Sequence, residues 1–282
     1  MADSKLEKLI KKLIMLYIIT NEDFINLIVD DMSVEYPVDE VHIKSMTSIL
    51  NEVTSLSNAL KNKANPMIEN VIKEAYNEGY QNSSSILGDN ILEQGDSQQS
   101  MLNKLVSDTC DDMLIATKYM SESTKRFVRV KTSQVMQLQQ AIREGNKSLA
   151  YTLARQLEAG KLQKDVNSQA FTGIVDSMGR RWNLKTYSEM VIRTKAQQAH
   201  VYGTAEYGHK MGCHLFIISS HNAIDACKKW EGSIITVGET IDGYPSYEEL
   251  AGSMEIFHPN CRHHITPISD KIAERISKKK NA

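Results

Sequence analysis

GCHLFIIS, residues 212–219, is the stretch at which the 282-residue chain changes texture. Leu215, Phe216, Ile217 and Ile218 follow one another without a polar residue, the pattern of a short buried strand. Ser233 to Val237 supplies a second strand with β-branched residues. Ile265 to Ile268 supplies a third, and Pro267 within it, lacking an N–H to donate, assigns it to a sheet edge. Before Gly212 the patterning is mainly helical. The expected fold is therefore α+β: a mainly α-helical N-terminal region followed by a compact α+β C-terminal module with a few short strands.

Working towards the N-terminus, Leu184, Tyr187, Val191, Thr194 and Val201 recur at helical spacing and predict a helix over about 184–207. Val135, Leu138 and Ile142 mark another helix. Gly145-Asn146 is a turn, and Leu149, Leu153 and Leu157 mark the returning arm, expected to end at Gly160. This is a helical hairpin. The first 78 residues contain no glycine and only two prolines, Pro37 and Pro66, each expected at a break or in a first helical turn. Leu6, Leu9, Ile10, Leu13 and Leu16 form an apolar stripe. Ser4 with Glu7 has capping-box spacing, and Thr20 with Asp23 is a weaker start signal. The segment 81–100, rich in Ser, Gln, Asn, Gly and Asp, reads as a flexible linker or loop. The expected division is a helical arm at 1–80, the linker at 81–100, a helical region with a hairpin at 101–175, the α+β module at 176–270 and a basic tail at 271–282.

Net charge is −2, which excludes a global polycation or polyanion argument about partners. Residues 1–60 carry five Lys/Arg against ten Asp/Glu, and residues 121–165 carry nine against four. Solvated helix faces explain such excesses as well as charged partners do. The longest early apolar run, Leu13 to Thr20, is too short for a membrane span and lacks a cleavage pattern. Four cysteines in a chain of this length do not make a secreted disulfide scaffold, so manufacture and assembly in a reducing cytoplasm are expected.

Four stretches near the C-terminus, in order, carry a family resemblance. They are GRRWNL (179–184) with YSEMVIRT (187–194), the strand and turn FIISSH (216–221), CKKWEG (227–232), and HPNCRH (258–263). Together they resemble the phage minor capsid protein 2 family, which is related to the Mu F-like head-morphogenesis proteins. The resemblance covers residues 176–268, about a third of the chain. It implies a structural protein of a phage or prophage head, located in the virion. The partners implied are portal, capsid and scaffold proteins in an oligomeric assembly, with help in head assembly or DNA delivery. Neither a membrane partner nor an enzymatic activity is implied.

The most specific local chemistry is a Cys/His group. Zinc takes about four N or S ligands in a tetrahedron, and His258-x-x-Cys261 with His263 beyond it is a compact set of such donors. Cys227 or His221 completes it if the chain folds back, giving the expected metal set Cys227, His258, Cys261, His263 and His221 for a structural zinc. Related head-morphogenesis proteins often carry a Cys-x-x-Cys pair before the glycine, and here Ile224 stands at the first position. Packing and hydrogen bonding in a small core is the alternative use of the same residues, and a Cys227–Cys261 disulfide a third. Cys110 and Cys213 read as ordinary buried cysteines, and Trp182 and Trp230 as core anchors. No residue is assigned a catalytic or cofactor-binding role. Two other classes compete with the structural one: a Cys/His metal-binding protein acting on nucleic acid, and an ADP-ribosyltransferase-like enzyme using Arg193, Ser219-Ser220 and Glu248-Glu249. Against the second, Glu189 lies one turn before Arg193 and explains it as an ion pair. Lys125, Arg126, Arg129 and Lys131 could contact DNA, although a solvated helix face is the simpler account.

Overall fold

The structure is a computed structural model that describes residues 4–35, 44–88, 96–167, 172–175, 179, 181–259 and 261–280. The helices among these residues are α1 (Lys5–Met32), α2 (Met46–Leu87), α3 (Asp96–Arg143), α4 (Lys147–Leu157), α5 (Ala159–Asp165), α6 (Leu184–Lys210), α7 (Tyr247–Ser253) and α8 (Asp270–Lys280). The strands are β1 (Thr172–Val175), β2 (Arg181–Asn183), β3 (Leu215–Ile218), β4 (Ile234–Ile235) and β5 (Ile265–Ile268). The fold is thus mainly helical, with a small three-stranded antiparallel sheet near the C-terminus, as expected. Two compact units share the chain: Met1–Ile10 with Met67–Cys110 and Met190–Ala282, and Lys11–Pro66 with Asp111–Glu189. The units are interleaved along the sequence, in contrast to the linear arm, linker and module read from composition.

In the unit of Lys11–Pro66 and Asp111–Glu189, the core is built from one residue per helical turn. On α1, Leu13, Tyr17, Phe24, Ile28 and Met32 are buried, as are Ile49, Val53 and Leu60 on α2 and Met120, Val128, Val135 and Leu138 on α3. Burying each such side chain contributes about 1.5–3 kcal/mol. The expected hairpin forms between α3 and α4. Gly145 takes φ 68° in the turn, and the Asn146 side chain caps α4 by accepting from the Leu149 N–H at 3.1 Å. The break after α4 falls at Glu158, whose extended backbone separates α4 from α5, so Gly160 lies inside a helix and does not end one. The β1–β2 hairpin was not foreseen: four and three residues are too few to show alternation.

In the other unit, backbones approach closely through glycine. A Cβ on Gly79 would strike the carbonyl of His200, and one on Gly203 would strike that of Tyr76. Only glycine lets α2 and α6 come this near. Around the contact Ser83 Oγ donates to the Thr204 carbonyl at 3.1 Å and Tyr207 Oη to the Gly88 carbonyl.

The sheet order is β4-β3-β5, which puts β5 and its Pro267 at an edge. Its register explains why four apolar residues run together in β3. Phe216 faces Ile235, Ile218 faces Ile265, and all four join one buried cluster with Val201 and Ala205 of α6. Leu215 faces Ile268, Ile217 faces Ile234, and these lie in a second cluster with Ala273 and Ile276 of α8. Both faces are covered, so neither alternates with polar residues.

Further expectations change. Pro66 lies inside α2 and opens no helix. The lost backbone bond and ring clash cost about 3 kcal/mol, offset by burial of Leu60, Ala64, Ile68, Val71 and Ile72 on either side. The linker shortens, since α2 continues through Leu87 and α3 begins at Asp96, with 89–95 outside the described residues. The basic tail is helical through Lys280, because Ala273 and Ile276 give it an apolar side to lay on the sheet. At the N-terminus the Ser4 hydroxyl caps the Glu7 N–H at 3.1 Å, and α1 continues through Thr20, which is buried, without a second start.

Candidate functional site

Cys227 sits in a short 3₁₀ turn, Ala226–Trp230, directly after β3 and its following loop. The Asp225 carboxylate caps that turn by accepting from the Cys227 N–H at 3.0 Å. His258, Cys261 and His263 lie on the approach to β5. Here the Cys261 N–H donates to the His258 carbonyl at 2.9 Å. The Ser219 N–H donates to the His264 carbonyl at 2.9 Å, and the His264 N–H to Ser219 Oγ at 3.0 Å. The β3–β5 pairing therefore continues past the strands and carries the second segment against the first. Two non-glycine residues beside the site, Asn222 and Phe257, hold left-handed backbones at φ 58° and 57°. Such conformations cost about 1–2 kcal/mol each and persist where surrounding contacts fix them.

The structure brings Cys227, His258, Cys261 and His263 together. Cys227 Sγ lies 3.1 Å from His258 Nε2 and 3.9 Å from Cys261 Sγ, and Cys261 Sγ lies 3.3 Å from His263 Nδ1. Cys227 and His263 are each only 1% exposed, whereas His258 and Cys261 are half-buried at the edge of the group. Both cysteines are thiols, unbonded to one another. Burial first, and the Cys261 thiol second, push the Cys227 thiol up to about 12. A thiol so protonated is no nucleophile at neutral pH.

His221 takes a different place. Its ring packs at 4.1 Å from that of His263, and its Nδ1 is 4.0 Å from Glu231, so it flanks the carboxylate side of His263 and not the thiol side. Glu231 is the residue that sequence reasoning missed. Its Oε1 accepts from the backbone N–H groups of Ala223 at 3.0 Å and His221 at 2.9 Å, and stands 3.3 Å from His263 Nε2. Those two backbone donors, with His263, hold its carboxyl down at about 2. Glu231 stood inside CKKWEG, but nothing in the spacing showed that a chain reversal would aim it at His263. Ile224 is fully exposed and takes no part in the cluster.

The residues of the ADP-ribosyltransferase-like reading each hold other contacts. Arg193 forms a two-pronged ion pair with Glu7 at 2.8 and 2.9 Å, a partner 186 residues away that sequence spacing could not name. Ser219 Oγ receives the His264 N–H, Glu248 receives the Gly238 N–H, and Glu249 closes a capping box with Ser246 at the start of α7. The basic stretch of α3 is divided: Arg126 and Arg129 are exposed, while Lys131 is buried and pairs with Asp165 at 3.0 Å. Trp230 is a half-buried core anchor whose Nε1 donates to Glu255 at 3.2 Å. Cys213 is buried and Cys110 half-buried. A second cluster, His209, His214 and Glu239, lies nearer the surface.

The fold is a long-helix framework with a small antiparallel sheet, beside which two thiols and two imidazoles cluster. The chain belongs to the phage minor capsid protein 2 family, whose model matches residues 1–281. The match extends over essentially the whole chain, well beyond the third that the C-terminal motifs had suggested. Comparisons with curated proteins and with solved structures gave no match. The family gives the protein a structural role in a phage. Among the described residues no helix is long and apolar enough to cross a membrane.

Proposed function

We propose that the protein is a minor component of the phage or prophage head that associates with the portal region and assists head assembly or DNA delivery, without catalytic turnover. The observation that carries this reading is the family match over residues 1–281. The exposed apolar side chains support it. Met15, Ile19, Ile115, Val130 and Met136 are exposed on the long helices α1 and α3, and Leu149 and Tyr151 on the shorter α4, where apolar groups can dock on partner helices. Contacts of this kind are individually weak and become effective when many are presented together on an assembly. Arg193, Glu248 and Glu249, the residues an enzymatic reading needs, are already engaged in ion-pair and capping contacts.

Deleting the gene from the phage or prophage tests the reading. The expected result is a defect in head assembly or genome delivery. A normal yield of infectious particles would overturn it. The purified chain is expected to leave DNA uncut and to transfer no ADP-ribose from NAD to protein.

A further inference from the structure

We propose that Cys227, Cys261, His263 and His258 form a zinc site that staples the turn after β3 to the segment entering β5. The donor atoms of Cys227, Cys261 and His263 all lie within 4.8 Å of one another. His258 Nε2 joins them through Cys227, at 3.1 Å from its sulfur. In a tetrahedral zinc site, with Zn–S of about 2.3 Å and Zn–N of about 2.0–2.1 Å, ligand atoms stand roughly 3.5–3.8 Å apart. The sulfur–sulfur distance of 3.9 Å and the sulfur–nitrogen distances of 3.1 and 3.3 Å bracket that spacing. His258 lies within 4.8 Å of Cys227 but outside the group of Cys227, Cys261 and His263, so its ring closes on that group when the ion binds.

The hydrogen bonds around the ring nitrogens point the same way. His258 Nδ1 is 3.0 Å from the Pro259 carbonyl, so it donates there and leaves the Nε2 lone pair towards Cys227. His263 Nε2 faces Glu231 at 3.3 Å, so it donates to that carboxylate and leaves the Nδ1 lone pair towards Cys261. Each imidazole thus has its outer nitrogen tied to an oxygen and its inner nitrogen beside sulfur, with the Asp225 carboxylate 3.7 Å from His258 Nε2 as well. A carboxylate behind a ligating histidine is the recurrent outer layer of zinc sites, and it fixes the tautomer that can ligate. Glu231 is itself locked by two backbone N–H groups, so it is a positioning residue of defined geometry. In the metal-free chain the two thiol protons fill the gaps as S–H···N contacts. Uptake of a divalent ion replaces them, releasing the Cys227 and Cys261 protons to solvent with no redox change. With four protein ligands no coordination position stays open, so the ion is structural.

The test uses the full chain, reduced, stripped with a chelator and titrated with Co²⁺ alone. The expected result is one cobalt per chain with tetrahedral visible bands and thiolate-to-cobalt charge transfer, all displaced by one equivalent of Zn²⁺. Cys261→Ser should weaken binding more than about 100-fold, and Glu231→Gln by about 10–100-fold. His214→Ala, in the separate surface cluster, should bind as the unaltered chain does. If Cys261→Ser does not fold, the cobalt spectrum of the unaltered chain still decides. Absence of thiolate charge-transfer bands, or unchanged affinity in the folded Cys261 and Glu231 variants, would overturn the site. So would a Cys227–Cys261 disulfide in chain whose free thiols were alkylated at the moment of cell lysis.

Discussion

The unit of Lys11–Pro66 and Asp111–Glu189 and the sheet-bearing region 212–268 solve the same problem by different means. The first buries Leu, Ile, Phe and Met once per helical turn along helices of 28 to 48 residues, with Lys131–Asp165 as a buried ion pair. The second has strands of four residues or fewer and buries Cys227, His263, Thr236 and Tyr247 among its aliphatics. Long helices gain enough from apolar burial to need little specific chemistry. Short strands bury little per element, so polar contacts and left-handed turns fix the chain path instead. The comparison teaches where single substitutions act broadly and where they act locally.

The largest expected effect concerns close backbone packing. Gly203→Leu should destabilise the protein by more than about 3 kcal/mol, because its Cβ meets the Tyr76 carbonyl and no rotamer relieves that. Urea unfolding of the purified chain measures it, and a tolerated leucine would show that α2 and α6 are further apart. Leu138→Ala, in the helical unit, should cost about 3 kcal/mol through the cavity it leaves, read by the same assay. A loss below 1 kcal/mol would mean that this core is loosely packed and the contrast between the regions is overdrawn.

An effect of slightly smaller size depends on pH. His200 is buried, Asn82 Nδ2 lies 3.1 Å from its Nε2, and burial first, then His264, lowers its titration from 6.5 to about 4. Between those values the unfolded chain holds a proton on this residue that the folded chain lacks. Stability therefore falls as pH falls through that window, by up to about 3 kcal/mol. Unfolding measured at pH 7 and at pH 4.5 should show the decline, and His200→Gln should flatten it. A slope unchanged in His200→Gln would assign the decline to other groups. The smallest effect is that of Arg193→Ala, about 0.5–1 kcal/mol, since the pair with Glu7 is partly exposed.

Legibility in the sequence follows the same division. α6 was readable because Leu184, Tyr187 and Val191 repeat on one face over many turns, and β3 because LFII is continuous. The edge position of β5 was readable from Pro267 alone. Pro66 misled because a local rule about proline says nothing of the tertiary burial on either side of it. The tail misled because Lys271 and Lys278–Lys280 mask Ala273 and Ile276, which matter only once the sheet offers them a second face. At the cluster, the ligand-competent residue types were legible, whereas Glu231 depended on a chain reversal that brings it 32 residues across to His263. Arg193 was assigned to Glu189 by spacing, and the structure adds Glu7 from the other end of the chain.

Incorporation of this chain into a phage particle is measured most directly by quantitative mass spectrometry of purified heads. Particles banded to homogeneity should contain peptides from both ends of the chain, in fewer copies than the major capsid subunit and in constant ratio to the portal subunit across fractions. Peptides confined to the soluble lysate and missing from the particles would contradict it.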